Sequence, residues 1–141
     1  MYANLKNSIG KVIERVFLEW YYFNGQPDSI SRLYVKVNSY FDITCCEENV
    51  FIREQKETPT VIISGEFTYK PIEQNIEWLH QCRIISIKYL VNSFNIKRGI
   101  LFIFSYNHNF IFYNEGYEFD DIDKFEIDVN MNLLPYNVID I

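Results

Sequence analysis

Alanine is almost missing from this chain: Ala3 is the only one in 141 residues. Alanine is the best helix former, so its scarcity argues against a helix-dominated architecture. Glycine is sparse as well, with five scattered residues and none of the clustering that a phosphate-cradling loop needs. Of the two histidines, His80 and His108, neither sits in an HExxH motif or in a readable Ser-His-Asp or Cys-His arrangement. Cysteine is limited to Cys45, Cys46 and Cys82, an odd number whose adjacent pair fits neither a CxxC redox motif nor zinc-ligand spacing. Reduced thiols are expected, with at least one of the neighbours a small core residue, because successive strand residues point to opposite faces. No apolar run approaches the roughly 18 residues of a membrane span, and MYANLKNSIGK lacks the layout of a secretory leader. Excess positive charge is missing too: the net charge of −6 argues against broad binding to nucleic-acid phosphates. These absences describe one acidic, cytoplasmic domain over 1–141, without enzymatic activity, cofactor, metal, nucleic acid or membrane partner.

What the chain has in quantity is twenty isoleucines, twelve phenylalanines and eleven tyrosines. β-Branched and aromatic side chains suit a pleated, half-buried surface. The expected fold class is α+β but β-dominated, a mostly antiparallel sheet of about six to eight strands. One short helix is expected near 71–81, and a helical turn over 2–9 stopped by Gly10. KVIERVFLEWYYF (11–23) fits both a helical and an alternating template, and its β-branched and aromatic content decides for a strand. Asn24-Gly25 then marks a tight turn, with Pro27 and Asp28 extending the loop. Strands are expected at 31–38, 40–45, 61–69, 83–91, 99–105, 109–114 and 124–129, and the charged 47–59 reads as a surface loop around a short strand at 50–52. Gly65 inside its strand suggests a bulge or a close approach of backbone. Pro71, Glu73 and the shared face of Ile72, Ile76 and Leu79 define the helix, with His80 at its negative end and His108 solvated in a loop. Ile13, Val16, Phe23 and Asn24 precede Ile84, Ile87, Phe94 and Asn95 by a constant 71 residues, and Leu33-Tyr34-Val35 aligns with Leu101-Phe102-Ile103 after a gap. A two-fold internal repeat is the corresponding expectation.

Charge is distributed unevenly. Residues 115–141 carry eight acids against Lys124 alone, whereas the first 114 are nearly balanced, with eleven acids and twelve bases. Three readings compete for this cluster: a solvated edge, a divalent-cation site, and a surface for a basic protein. FDDIDKFEID lacks the spacing and glycine of an EF-hand loop. The third reading gains from flanking tyrosines, which supply contact area at low entropic cost, and from the steering that an acidic patch exerts on a basic partner. Its candidate contact residues are Tyr113, Glu115, Tyr117, Glu118, Asp120, Asp121, Asp123, Glu126 and Asp128.

The stretch GILFIFSYNHNFIFYNEGYEFDDI, an apolar strand, polar turn, apolar strand and acidic ending, resembles small bacterial immunity proteins of polymorphic-toxin and contact-dependent growth-inhibition systems. IGKVIERVFLEW followed by SRLYVKVNSYFDIT has a similar cadence. The resemblance implies a stoichiometric inhibitor that binds a cognate toxin domain, a basic and nuclease-like partner, and blocks its active site. The competing expectations are a β-rich module that binds a small ligand or serves as an accessory subunit, and a metal-dependent enzyme using the acidic cluster.

Overall fold

The computed structural model describes residues 3–46, 49–115 and 122–141. Among them are eleven strands: β1 (Arg15–Phe23), β2 (Gln26–Lys36), β3 (Tyr40–Cys46), β4 (Asn49–Gln55), β5 (Ile62–Ser64), β6 (Phe67–Glu73), β7 (Ile84–Val91), β8 (Lys97–Phe104), β9 (Asn109–Asn114), β10 (Asp123–Ile127) and β11 (Asn137–Asp140). Every pairing is antiparallel, in the order β11-β7-β8-β9-β10-β2-β1-β6-β5, with β3 on β2 and β4 on β3. The sheet is therefore larger than the six to eight strands expected. A single turn of helix, α1 (Ala3–Lys6), precedes it, and Gly10 at φ +90° turns the chain out, as the sequence predicts.

The long strand β2 takes two neighbours on one edge. Its Leu33–Lys36 half pairs with β3, while Ile30 lies opposite Asp123 of β10. That fork splits the sheet into two leaves, β1–β4 and β7–β10, which close on one another. Alternation then does the rest. Leu33, Val35, Ile43, Val50 and Ile52 point in from one leaf and meet Ile87, Ile100, Phe102, Phe104, Phe110 and Phe112 from the other. A second seam is made where Gly10 N–H donates to the Ile84 carbonyl (2.7 Å) and Ile84 N–H to the Lys11 carbonyl (2.9 Å). The outer face of β8–β9 is not left wet: Val129, Leu134 and Tyr136 pack over Leu90, Leu101, Ile111 and Tyr113, and the chain then adds β11 to β7. This double coverage explains why NFIFYN reads as a nearly continuous apolar run. It also explains Gly99, where any Cβ would lie 2.5 Å from the Phe112 carbonyl oxygen and 2.7 Å from Tyr113 Cα.

Several expectations are corrected. The helix at 71–81 does not form: residues through Glu73 continue β6, and only a 3-10 turn, Leu79–Gln81, remains. Pro71 is compatible with a strand here because it falls at a position whose missing N–H would point away from β1, as the bonds Asn24 N–H to Glu66 carbonyl and Gln74 N–H to Val16 carbonyl fix the ladder. Ile76 and Leu79 still reach the core, without helical geometry. The expected strand at 61–69 is a hairpin, β5–β6, and Gly65 (φ +62°) is its turn residue rather than a bulge. Pro27 and Asp28 belong to β2, so the β1–β2 turn is Asn24-Gly25 alone, both at positive φ. The loop expected at 47–59 holds the seven-residue β4, and the tail after Pro135 holds β11. The two halves do share a four-strand meander, and Asn24 and Asn95 both occupy hairpin tips at positive φ. Yet Leu33 faces the core while its aligned partner Leu101 faces the opposite side of its sheet, so that part of the repeat alignment slips by one residue. Among the described residues no helix is long and apolar enough to cross a membrane.

Candidate functional site

The bonds of Gly10 and Lys11 with Ile84 hold the start of β7 beside the residues that precede β1, so one set of turns gathers at the other end of the sandwich. The β1–β2 turn at Asn24-Gly25, the β5–β6 turn at Gly65-Glu66 and the β7–β8 turn over 92–96 all lie there. So do the end of β9 at Asn114 and the start of β10 at Asp123. Trp20, Ile30, Asp123 and Asn114 lie in one cross-strand row. Beyond that row β1, β2, β6 and β5 run on for three further residues, roughly 10 Å, where no second leaf covers them among the described residues.

This extension is an aromatic wing. On one face Tyr21 sits between Phe67 (5.7 Å between ring centres) and Tyr69 (5.3 Å), and Phe23 packs on Phe67 (5.6 Å). Ile62, opposite Tyr69, continues that face. On the other face the Lys70 ammonium lies 4.8 Å from the centre of the Tyr22 ring, beside Thr68 and the exposed Ile63. Phe23, Val61, Ile62, Ile63 and Phe67 are all exposed. Burial among its neighbours, then the proximity of Tyr69 and Asp28, pushes the Tyr21 phenol upward, so it remains a neutral hydrogen-bonding group. At the same end Phe94 is 82% exposed on a turn braced by Asn92, whose side-chain oxygen accepts from the N–H groups of Phe94 and Ile96 (3.0 Å each). A rigidly presented aromatic ring is the kind of anchor that dominates protein interfaces.

The acidic residues fall into three groups. Tyr117, Glu118, Asp120 and Asp121 lie outside the described residues. Their flanks are tied together, Glu115 N–H donating to the Ile122 carbonyl at 3.1 Å. Tyr113, Glu115, Asp123 and Glu126 cluster on β9–β10 near the wing. The Tyr113 hydroxyl donates to Glu126 (2.8 Å), and its pKa is pushed up first by burial and then by that bond. Lys124 donates to Glu115 (2.9 Å), and the bond raises the ammonium pKa. Asp123 accepts from the Asn114 amide (2.9 Å), whose oxygen in turn accepts from buried Arg98.

Asp128 stands apart, at the opposite end of β10. Its carboxylate accepts from Trp78 Nε1 (3.1 Å), His108 Nδ1 (3.0 Å) and the Asn109 N–H (3.1 Å). The His108 ring lies flat on Trp78, 4.5 Å between centres, so His108 is part of a packed clamp rather than solvated. His80, without a helix to terminate, bonds through Nε2 to the Glu14 carbonyl (2.7 Å).

Two further features were not picked out from the sequence. On the outer face of β1–β4, Glu19 and Asp42 are each only 2% exposed. Glu19 accepts hydrogen bonds from Ser31 (2.7 Å) and Tyr34 (3.1 Å) and forms an ion pair with Arg32 Nε (3.1 Å) that lacks hydrogen-bond geometry, while Asp42 accepts from Arg32 (2.7 Å) and Arg53 (2.6 Å). With both Glu19 oxygens and Asp42 Oδ2 so engaged, this network locks the leaf rather than presenting a reactive group. An open groove of about 580 Å³ lies at the end opposite the wing, lined by Lys11, Glu14, Lys36, Asn38 and Arg83. The wing did leave a signal: beyond Glu19, β1 is aromatic on both faces, more than one buried face requires. Comparison of the chain with protein-family models, curated proteins and solved structures returned no match.

Proposed function

We propose that this protein is a non-enzymatic inhibitor that binds a basic protein partner, a toxin domain of nuclease type, through the wing end of the sandwich. The observation that carries this reading is the pairing of Asp123 with Ile30. It joins the acidic segment that begins at Glu115 to the base of an exposed aromatic surface. Aromatic area supplies contact energy in a desolvated patch, and neighbouring carboxylates steer a cationic partner and mimic the phosphates its cleft would hold. In this reading Asp128 and the buried Tyr113 are framework residues, and contact falls on Glu115, Asp123 and Glu126, on the segment containing Tyr117, Glu118, Asp120 and Asp121, and on Tyr21, Phe67 and Phe94.

The test is growth rescue by co-expression with the cognate nuclease-type toxic domain that the reading requires, together with titration of the two purified proteins at low and high salt. Tyr21→Ser with Phe67→Ser should abolish rescue. Charge reversal of Asp120, Asp121 and Asp123 to Lys should slow association and flatten its salt dependence. Full rescue by both variants, with folding intact, rejects the reading.

A further inference from the structure

The sheet ends at β5, and the end is open. Asn24 N–H donates to the Glu66 carbonyl at 3.3 Å, which makes Phe23 and Phe67 a non-hydrogen-bonded pair in the β1–β6 ladder. The backbone of Phe67 therefore turns toward β5 and bonds Ser64, that of Thr68 turns back to β1, and Ile63, opposite Thr68, directs its N–H and C=O outward. Val61 shares that phase. Among the described residues no strand pairs with this edge. Ile63 is 73% exposed, and Val61 and Ile62 are exposed beside it.

An edge of this kind is usually blunted by charge. Here TPTVIISG, residues 58–65, contains no charged residue at all. Two copies of a chain with net charge −6 can thus meet along this strip without opposing like charges directly. We infer that β5 is a self-association edge, pairing antiparallel with β5 of a second copy about a two-fold axis at Ile62. In that register Val61 of each copy faces Ile63 of the other. Both are outward-directed residues, so all four of their N–H groups and carbonyls in each facing pair are matched, and the two Ile62 side chains meet on the Tyr69 face. Pro59, which has no N–H, ends the pairing. The contact is isologous, so it consumes the edge and closes at two copies rather than growing into a fibre. The proposal is independent of the toxin-binding reading, and its test contains no toxin.

Sedimentation or light scattering of the purified chain, from low micromolar to near-millimolar concentration, should show the mass rise from 17.0 kDa toward twice that value. Ile63→Lys should hold the mass at the monomer value throughout. Ile85→Lys, at an exposed position on β7, should leave dimerisation unchanged. Because Ile62 faces its own copy in a non-hydrogen-bonded pair, Ile62→Cys should form a disulfide-linked dimer on mild oxidation, and Ile85→Cys should not. The crosslink decides the matter if Ile63→Lys fails to fold. A wild-type chain that stays monomeric at every concentration overturns the inference, as does a dimer untouched by Ile63→Lys. Equal crosslinking of the two cysteine variants does so too.

Discussion

Asp128 offers a sharp separation of framework from binding surface, because the sequence places it among the contact acids and the structure places it in a clamp. Its carboxylate receives three donors, from Trp78, His108 and Asn109. Hydrogen bonds to a charged group contribute about 1.5–3 kcal/mol when buried. The Asp128 side chain is 42% exposed, so water replaces much of each bond, and about 0.5 kcal/mol apiece is a fair discount. Its backbone sits at φ 55°, a left-handed conformation that Asp and Asn tolerate and that costs alanine roughly 1 kcal/mol more. Asp128→Ala should therefore lose about 2.5 kcal/mol, Asp128→Gly about 1.5 because only the bonds are lost, and Asp128→Asn about 1 because an acceptor and the backbone preference are kept. Urea unfolding with an unchanged m-value reads these directly, and the alanine variant should melt roughly 8 °C lower. A loss below about 0.5 kcal/mol for Asp128→Ala, combined with weakened partner binding, would return Asp128 to the contact surface. A glycine variant as unstable as alanine would refute the backbone share.

Gly99→Ala drives a methyl group into the Phe112–Tyr113 backbone and should cost about 3 kcal/mol in chemical unfolding; a neutral result would mean that β8 and β9 do not approach as described. Asp42→Ala leaves Arg32 without its strongest partner in a buried network, and a loss of about 3 kcal/mol is expected by calorimetry, against a small effect for the exposed Lys124→Ala. Lys88 holds the Asp140 carboxyl below its ordinary range. A carboxyl depressed in the folded state lends stability above its unfolded pKa and loses it as the pH falls through the depressed value. The amides of 137–140 should therefore exchange hydrogen disproportionately faster below about pH 4, and Lys88→Gln should remove that dependence.

The strand-rich character, the Asn24-Gly25 turn and the bounds of β3, β7, β8 and β9 were legible because local alternation and turn chemistry agree with the tertiary structure there. The failure at 71–81 has a specific origin. Pro71, Glu73 and a three-and-four apolar spacing are helix signals, and they are overridden because β1 offers Glu19 and Leu18 as strand partners. No local rule reveals that. The same holds for β11, whose pairing with β7 depends on residues nearly fifty positions away. For the candidate site, the acidic segment could be read from charge counting alone. Its neighbour, the wing, left only the double-faced aromatic run of β1, an ambiguous signal because an aromatic strand reads alike whether or not a second leaf covers it. The roles of Glu19, Asp42 and Asp128 were hidden for a related reason: each carboxylate is defined by donors brought from other strands or loops.

The fork in β2 bears on how the chain reaches its native state. Each meander can assemble from neighbours in sequence, β1 through β4 and β7 through β10. The junction of Ile30 with Asp123, by contrast, spans 93 positions. Closing so large a loop is entropically slow, so the two meanders should form early as separate units and the rate-limiting event should be their docking along β2. Substitutions at Ile30 should then slow the refolding limb of a chevron and leave the unfolding limb almost unmoved.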